Sequence, residues 1–309
     1  MDGSQISRYK TLDFFARQVV EGFITGRHKS PFHGFSVEFS DYRQYNTGES
    51  TRNVDWHLYG RTDKLFVKQF EEETNLRCQV MIDQSSSMLF PLEHHGDIDQ
   101  PNKLTFAVYA TAVLIELLHR QRDAFGLTLF SGQIDQQTPC RSNRVHQQYL
   151  LGILDTLLNE NSKYKNQDSR PTSIAESIHL TAEQLHKRSL VVIFTDAFVR
   201  PDEQDALFDA LRHLRHNKHE VILFHTYDFA HEVNLDYDTR PHLFIDLESG
   251  KQLKLQPNEV AESYREEMNR LFDTLRQRAM QYRIEYVPVD VAQGFHQILL
   301  PFLLKRSKQ

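Results

Sequence analysis

The chain has 309 residues, 36 Lys+Arg against 42 Asp+Glu, a formal net charge of −6 and two cysteines. That length can bury a sizeable core, in one large domain or a core domain with a smaller attachment. The charge gives no basic field for nucleic acid or anionic lipid, and two cysteines are too few for a disulfide framework or a thiolate metal site. Cys78 and Cys140 read as small apolar fillers in a reducing compartment. The start, MDGSQISRYKTLDFF, lacks the basic and apolar regions of a secretory signal. No uncharged apolar run reaches the ~18 residues that span a bilayer. The expectation is a soluble, cytoplasmic protein without a membrane span.

Residues 1–75 form a smaller N-terminal region, with an amphipathic helix near Leu12 to Ile24 and then DYRQYNTGESTRNVDWHLYGRTDKLFVKQFEEE, dense in aromatics and charge and without a clean period. Its aromatics are too many to leave solvated; Trp56 reads as a packing anchor rather than a binding one, and Arg52, Asp55 and Arg61 read as a buried ion pair that fixes the region against the sheet, with a partner surface as the alternative. From residue 76 to 309 short apolar runs alternate with helical patterns, the mark of an α/β fold. Gln79–Ile82 is a buried strand. Leu104, Ala107, Val108, Thr111, Ala112, Ile115 and Leu118 then fall at helical spacing on one face. Phe125–Phe130 and Ile134–Thr138 flank Ser131 and Gly132 as an edge hairpin, and a helix at about Arg144–Leu158 follows.

Ile174, Ala175, Ile178, Ala182 and Leu185 mark the next helix, and Leu190–Thr195 (LVVIFT) is a central strand covered on both faces. A helix Glu203–Arg215, a strand Val221–His225, a hairpin in HLFIDLESGKQLKLQ turning at Ser249 and Gly250, and a helix of about Asn258–Met280 come next. A strand Arg283–Val287 and a helix with Phe295, Ile298, Leu299 and Phe302 on one face close the chain. The whole predicts a doubly wound, mostly parallel sheet.

In such sheets ligands sit beyond the carboxyl ends of strands, where neighbouring connections run to opposite faces. Asp83 and Asp196 each close a strand. With those strands adjacent, both carboxylates face one crevice, and alternation along VMIDQSSSM adds Ser85 and Ser87 on the same side as Asp83. Two carboxylates with hydroxyls suit a hard divalent cation, Mg²⁺ or Mn²⁺. Neutral hydroxyls leave the ion undercompensated, so it would take a carboxylate from a protein partner.

Asp83, Ser85 and Ser87 resemble the Asp-x-Ser-x-Ser loop of the von Willebrand factor A-type fold, a Rossmann-type architecture with a metal-ion-dependent adhesion site. The resemblance implies two further ligands, Thr172 in RPTSIAESI, where Ser173 and Glu176 could form a capping box, and Asp196 in VVIFTDAF. Arg43, Tyr45, Gly48, Arg52, Asp55 and Trp56, followed by YGRTDKLFVKQFEEETNL, are similar to the signature of the bacterial family called "domain of unknown function 58". That likeness implies work with a MoxR-type AAA+ ATPase in assembly or maturation of client proteins. Many members carry membrane helices ahead of this region, and anchoring is not carried over.

The expectation is thus a non-enzymatic, metal-dependent protein-binding adaptor. The competing reading is a Mg²⁺-dependent phosphatase of the haloacid-dehalogenase type, which needs a second acid two residues after the first. Ser85 occupies that place. No Walker loop, Gly-x-Ser-x-Gly or His-Glu-x-x-His occurs. His94, His95, Asp97 and Asp99 read as a solvated loop, and the 16 histidines show no paired ligand spacing.

Overall fold

A computed structural model describes residues 12–22, 41–45, 54, 56–69, 76–159, 174–197, 201–295, 297–298 and 302. The chain divides into two compact units, Met1–Gly22 with Leu76–Gln309, and Phe23–Asn75. Helix α1, residues 12–22, was expected with the N-terminal region but groups with the large unit. Its stripe of Leu12, Ala16 and Val20 is buried, and Phe15 meets Tyr109 and Phe295 edge-on at 5.0 and 5.3 Å.

In the small unit, strands β1 (Asp41–Gln44) and β2 (Phe66–Gln69) pair antiparallel, with Arg43 opposite Val67. Helix α2 (Trp56–Thr62) lies between them in sequence and has no buried residue. Trp56 is 60% exposed, its ring edge-on to Tyr59, which corrects its reading as a packing anchor. Arg61 is exposed too, so it cannot belong to a buried ion pair. Gly48, Arg52 and Asp55 lie outside the described residues.

The large unit is built on β3 (Arg77–Asp83), β4 (Ala124–Phe130), β5 (Ile134–Gln137), β6 (Leu190–Thr195), β7 (Glu220–Tyr227) and β10 (Glu285–Asp290). Their order is β10-β7-β6-β3-β4-β5, parallel throughout except for antiparallel β5 at one edge. Met81, Val191, Ile193, Val221 and Leu223 point to one face. There they pack with Ile174 and Ile178 of α5 (Ile174–Gln184), Leu207 and Leu211 of α6 (Pro201–His216) and Leu275 of α7 (Pro257–Gln281). By the two-residue period of a strand, the equally buried Val80, Ile82, Val192, Phe194, Ile222 and Phe224 point to the other face. That face is covered by α3 (Lys103–Arg120), which also contacts α4 (Arg144–Asn159).

Two elements depart from expectation. Helix α3 was expected to bury one face, yet every residue from Lys103 to Leu118 is buried. Sheet, α1 and α4 enclose it, as befits a helix apolar nearly all round. The last strand runs Glu285–Asp290, further along the chain than Arg283–Val287, because Arg283 sits at φ +57° in the turn after α7. Pro288 is tolerated there because β10 is an edge strand pairing only with β7. The remaining hairpin is β8 (His242–Ile245) with β9 (Gln252–Leu255).

Candidate functional site

Strands β3 and β6 are neighbours with Ile82 opposite Phe194, so Asp83 and Asp196 leave the sheet at the same end. Sheet order grows from β3 to β4 on one side and through β6 to β7 on the other, which makes this junction the switch point. Asp83 is fully buried. Its Oδ1 accepts the Ser85 N–H at 2.9 Å and its Oδ2 accepts the Thr195 hydroxyl at 2.8 Å. Instead of the extended turn expected, the chain enters a 3-10 turn at Ser86–Leu89, which sets the Ser85 and Ser87 hydroxyls 3.1 Å apart. The Ser87 hydroxyl lies 3.1 Å from Glu248 Oε1, to which it can donate its one hydrogen. Beyond Asp196, Ala197 takes φ +49°, a left-handed conformation uncommon for a residue with a Cβ, and its N–H donates to the Thr195 hydroxyl.

A lysine completes the arrangement. Lys103, at the first position of α3 and fully buried, donates to Asp196 Oδ2 at 3.0 Å and to Glu232 Oε1 at 2.5 Å. Burial disfavours its charge, but the two carboxylates outweigh that and hold the ammonium above its ordinary range. Burial likewise opposes ionisation of Asp196, and Lys103 reverses the balance, so this acid stays below the usual carboxylate range. For Asp83, burial and then the Asp196 charge push the carboxyl up to about 7 against the bonds from Ser85 and Thr195. Asp196 therefore keeps its negative charge beside Lys103, whereas Asp83 takes up a proton far more readily than an ordinary carboxylate.

Asp83, Ser85, Ser87 and Asp196 are thus brought together, and Thr172 with Ser173 lies outside the described residues. The donor set is oxygen only. Neighbouring ligands of an octahedral ion with ~2.1 Å bonds lie ~3 Å apart, which the Ser85–Ser87 hydroxyl pair matches. Among the described residues no group of three or more His, Cys, Asp or Glu converges as a metal cluster. A cation here would accordingly be held by hydroxyls and at most two carboxylates, with water filling the rest, as suits Mg²⁺.

Lys103, Thr195, Glu232 and Glu248 were not found from sequence. One signal existed for Lys103: a cation in the first turn opposes the helix dipole, so a lysine opening an otherwise apolar helix needs another reason to be there. Asp97 caps its own loop by accepting the Asp99 N–H at 2.9 Å, which agrees with turn chemistry there. His179 on α5 and His213 on α6 do pair, Nδ1 to Nδ1 at 3.0 Å, a juxtaposition that spacing along the chain cannot reveal.

The model of a protein family described as "Protein of unknown function DUF58" matches residues 41–278. Uncharacterized proteins of Mycobacterium tuberculosis and Mycobacterium bovis are 26% identical over 148 residues, 48% of this chain and 45% of theirs. The chain spans about half the length of these curated relatives. Among solved structures, a conserved hypothetical protein BatB from Bacteroides thetaiotaomicron is 18% identical with TM-score 0.47, over 76% of this chain and 100% of that one. An aerotolerance-related membrane protein from Bacteroides fragilis is 17% identical with TM-score 0.45, over 74% and 99% of the two chains.

Proposed function

This chain belongs to the family described as Protein of unknown function DUF58, and on that footing we propose that it is a non-enzymatic, metal-dependent protein-binding adaptor with a von Willebrand factor A-like domain. Asp83, Ser85, Ser87, Thr172 and Asp196 would hold Mg²⁺ or Mn²⁺, and the ion would accept a carboxylate from a partner. The partner would be a MoxR-type AAA+ ATPase or its client, met in the cytoplasm during assembly or maturation. The observation that carries the reading is geometric: Asp83 lies buried beside Asp196 at the sheet's switch point, with the Ser85 and Ser87 hydroxyls 3.1 Å apart. A divalent cation suits such an oxygen-only donor set.

The lysine is a departure from a simple cation cradle, since its ammonium already compensates Asp196 in part. Its ammonium bonds Asp196 and Glu232, while the Asp83 carboxyl is held by the Ser85 N–H and the Thr195 hydroxyl. The phosphatase alternative fares worse on geometry. Its nucleophile would be Asp83, fully buried and with both oxygens accepting bonds from the protein, and Ser85 stands where the general acid is needed. A phosphatase and esterase screen separates the two classes.

Capture from native lysate tests the adaptor. The wild-type chain is expected to retain a protein in Mg²⁺ and release it in EDTA, and an Asp83→Ala chain that is folded by circular dichroism should retain none. Equal retention in all three arms contradicts the reading.

A further inference from the structure

Apart from the cation site and at the other end of the sheet, we propose that the start of β4 and the exposed face of α4 form a docking surface for an acidic segment of a partner protein. Arg77 opens β3 opposite Ala124, and Arg141 bridges to Phe125, so the two flank the start of β4. The Phe125 N–H donates to the Arg141 carbonyl and the Arg141 N–H to the Phe125 carbonyl, each at 3.1 Å. Arg144 opens α4 three residues on. All three arginines are exposed. Among the described residues none of them meets a carboxylate, whereas Arg212, Arg270, Arg276 and Arg278 of α6 and α7 each do.

Local physics does not account for these cations. Arg144 stands in the first turn of α4, which holds no acidic residue, and a cation there opposes the helix dipole. The chain carries a net charge of −6, so carboxylates are not scarce, yet none is placed against these three. Apolar surface lies beside them. Val145 and Tyr149, one helical turn apart on α4, are 76 and 54% exposed. The Gln136 amide donates to the Tyr149 hydroxyl at 3.4 Å, which puts that ring beside the edge strand β5. Arginines around an exposed tyrosine and valine have the composition of a protein-binding patch, where Tyr and Arg are enriched.

Charge decides the occupant. An arginine fork matches a carboxylate in two parallel bonds. A chain that is acidic overall repels an acidic segment at long range except where such a patch lies, and this sets where the segment docks and which way round. A nucleic acid needs a basic groove that tracks its backbone, and three arginines beside an apolar pair give no such track. The segment that fits carries carboxylates on either side of an apolar side chain, the acids for the arginines and the apolar group for Val145 and Tyr149.

The probe is a short fluorescein-labelled peptide of Glu and Asp around one Phe, followed by fluorescence anisotropy in EDTA so that the cation site takes no part. Wild type is compared with Arg141→Glu/Arg144→Glu, with Tyr149→Ser and with the control Arg212→Glu/Arg270→Glu, which changes the net charge equally; each is checked for fold by circular dichroism. Wild type is expected to bind the peptide saturably, and more weakly as salt rises. Binding should fall about tenfold or more in Arg141→Glu/Arg144→Glu and severalfold in Tyr149→Ser, and should be unchanged in the control. No saturable binding by wild type, or an equal loss in the control and in Arg141→Glu/Arg144→Glu, overturns the surface. A single-stranded oligonucleotide that binds more tightly than the peptide, and is lost in Arg141→Glu/Arg144→Glu, overturns the acidic protein segment as its occupant.

Discussion

Lys103 is the residue on which the local electrostatics turn. It is a buried cation between two carboxylates, and the cost of its burial is recovered only because both bonds are made. Lys103→Met would leave Asp196 and Glu232 buried without their counter-charge, and is expected to lower the unfolding free energy by about 3–5 kcal/mol in EDTA, read from urea midpoints. Added Mg²⁺ should restore part of that loss through Asp196. A variant as stable as wild type would show that the ion pair is not holding the two acids. At this scale the sequence was partly legible. Asp83, Ser85 and Ser87 could be read because they lie within one short turn, where spacing is geometry. Lys103 bonds Asp196 across 93 residues and Glu232 across 129, and Ser87 meets Glu248 across 161. Nothing local marks such partners, because each choice is made by another element's position.

Among the elements, legibility followed period. Strand β6 could be read because a run of apolar residues covered on both faces has no polar interruption, and the β4–β5 and β8–β9 hairpins because glycine marks their turns. Helix α3 showed its type but not its surroundings, since a sequence does not say how many neighbours will cover a helix. The start of β10 was misplaced because YRIEYVPVD alternates acceptably in more than one frame. A glycine inside β4 carries the prediction at this scale. A Cβ on Gly126 would run into Gln79 Oε1 and stand 2.9 Å from the backbone oxygen of Thr138. The Gln79 amide donates to Thr128 and the Thr138 carbonyl from within the core, so neither neighbour moves freely. Gly126→Ala is expected to cost about 1–3 kcal/mol by chemical denaturation, without change in Mn²⁺ affinity, since the strain lies away from the β3–β6 junction. A neutral substitution would mean that β4 and β5 can part to admit the methyl group.

For the whole molecule, the central claim is that the end of the β3–β6 junction is a divalent-cation site, built so that a carboxylate from outside completes it. The alternation of strands and helices signals a parallel sheet but not its strand order; the adjacency of β3 and β6 is what delivers the two acids to one place. Of the predicted ligands only Thr172 lies beyond the described residues. The family match covers residues 41–278, which takes in the small unit's strands as well as Asp83, Ser85, Ser87 and Asp196. Calorimetric titration of the intact chain with Mg²⁺ and then Mn²⁺, in wild type and in Asp83→Ala, tests the claim most directly. The account predicts a single saturable site in the wild type for each ion and no saturable heat in the variant. Absence of saturable heat with either ion in folded wild-type protein, or the same isotherm in Asp83→Ala, would contradict it.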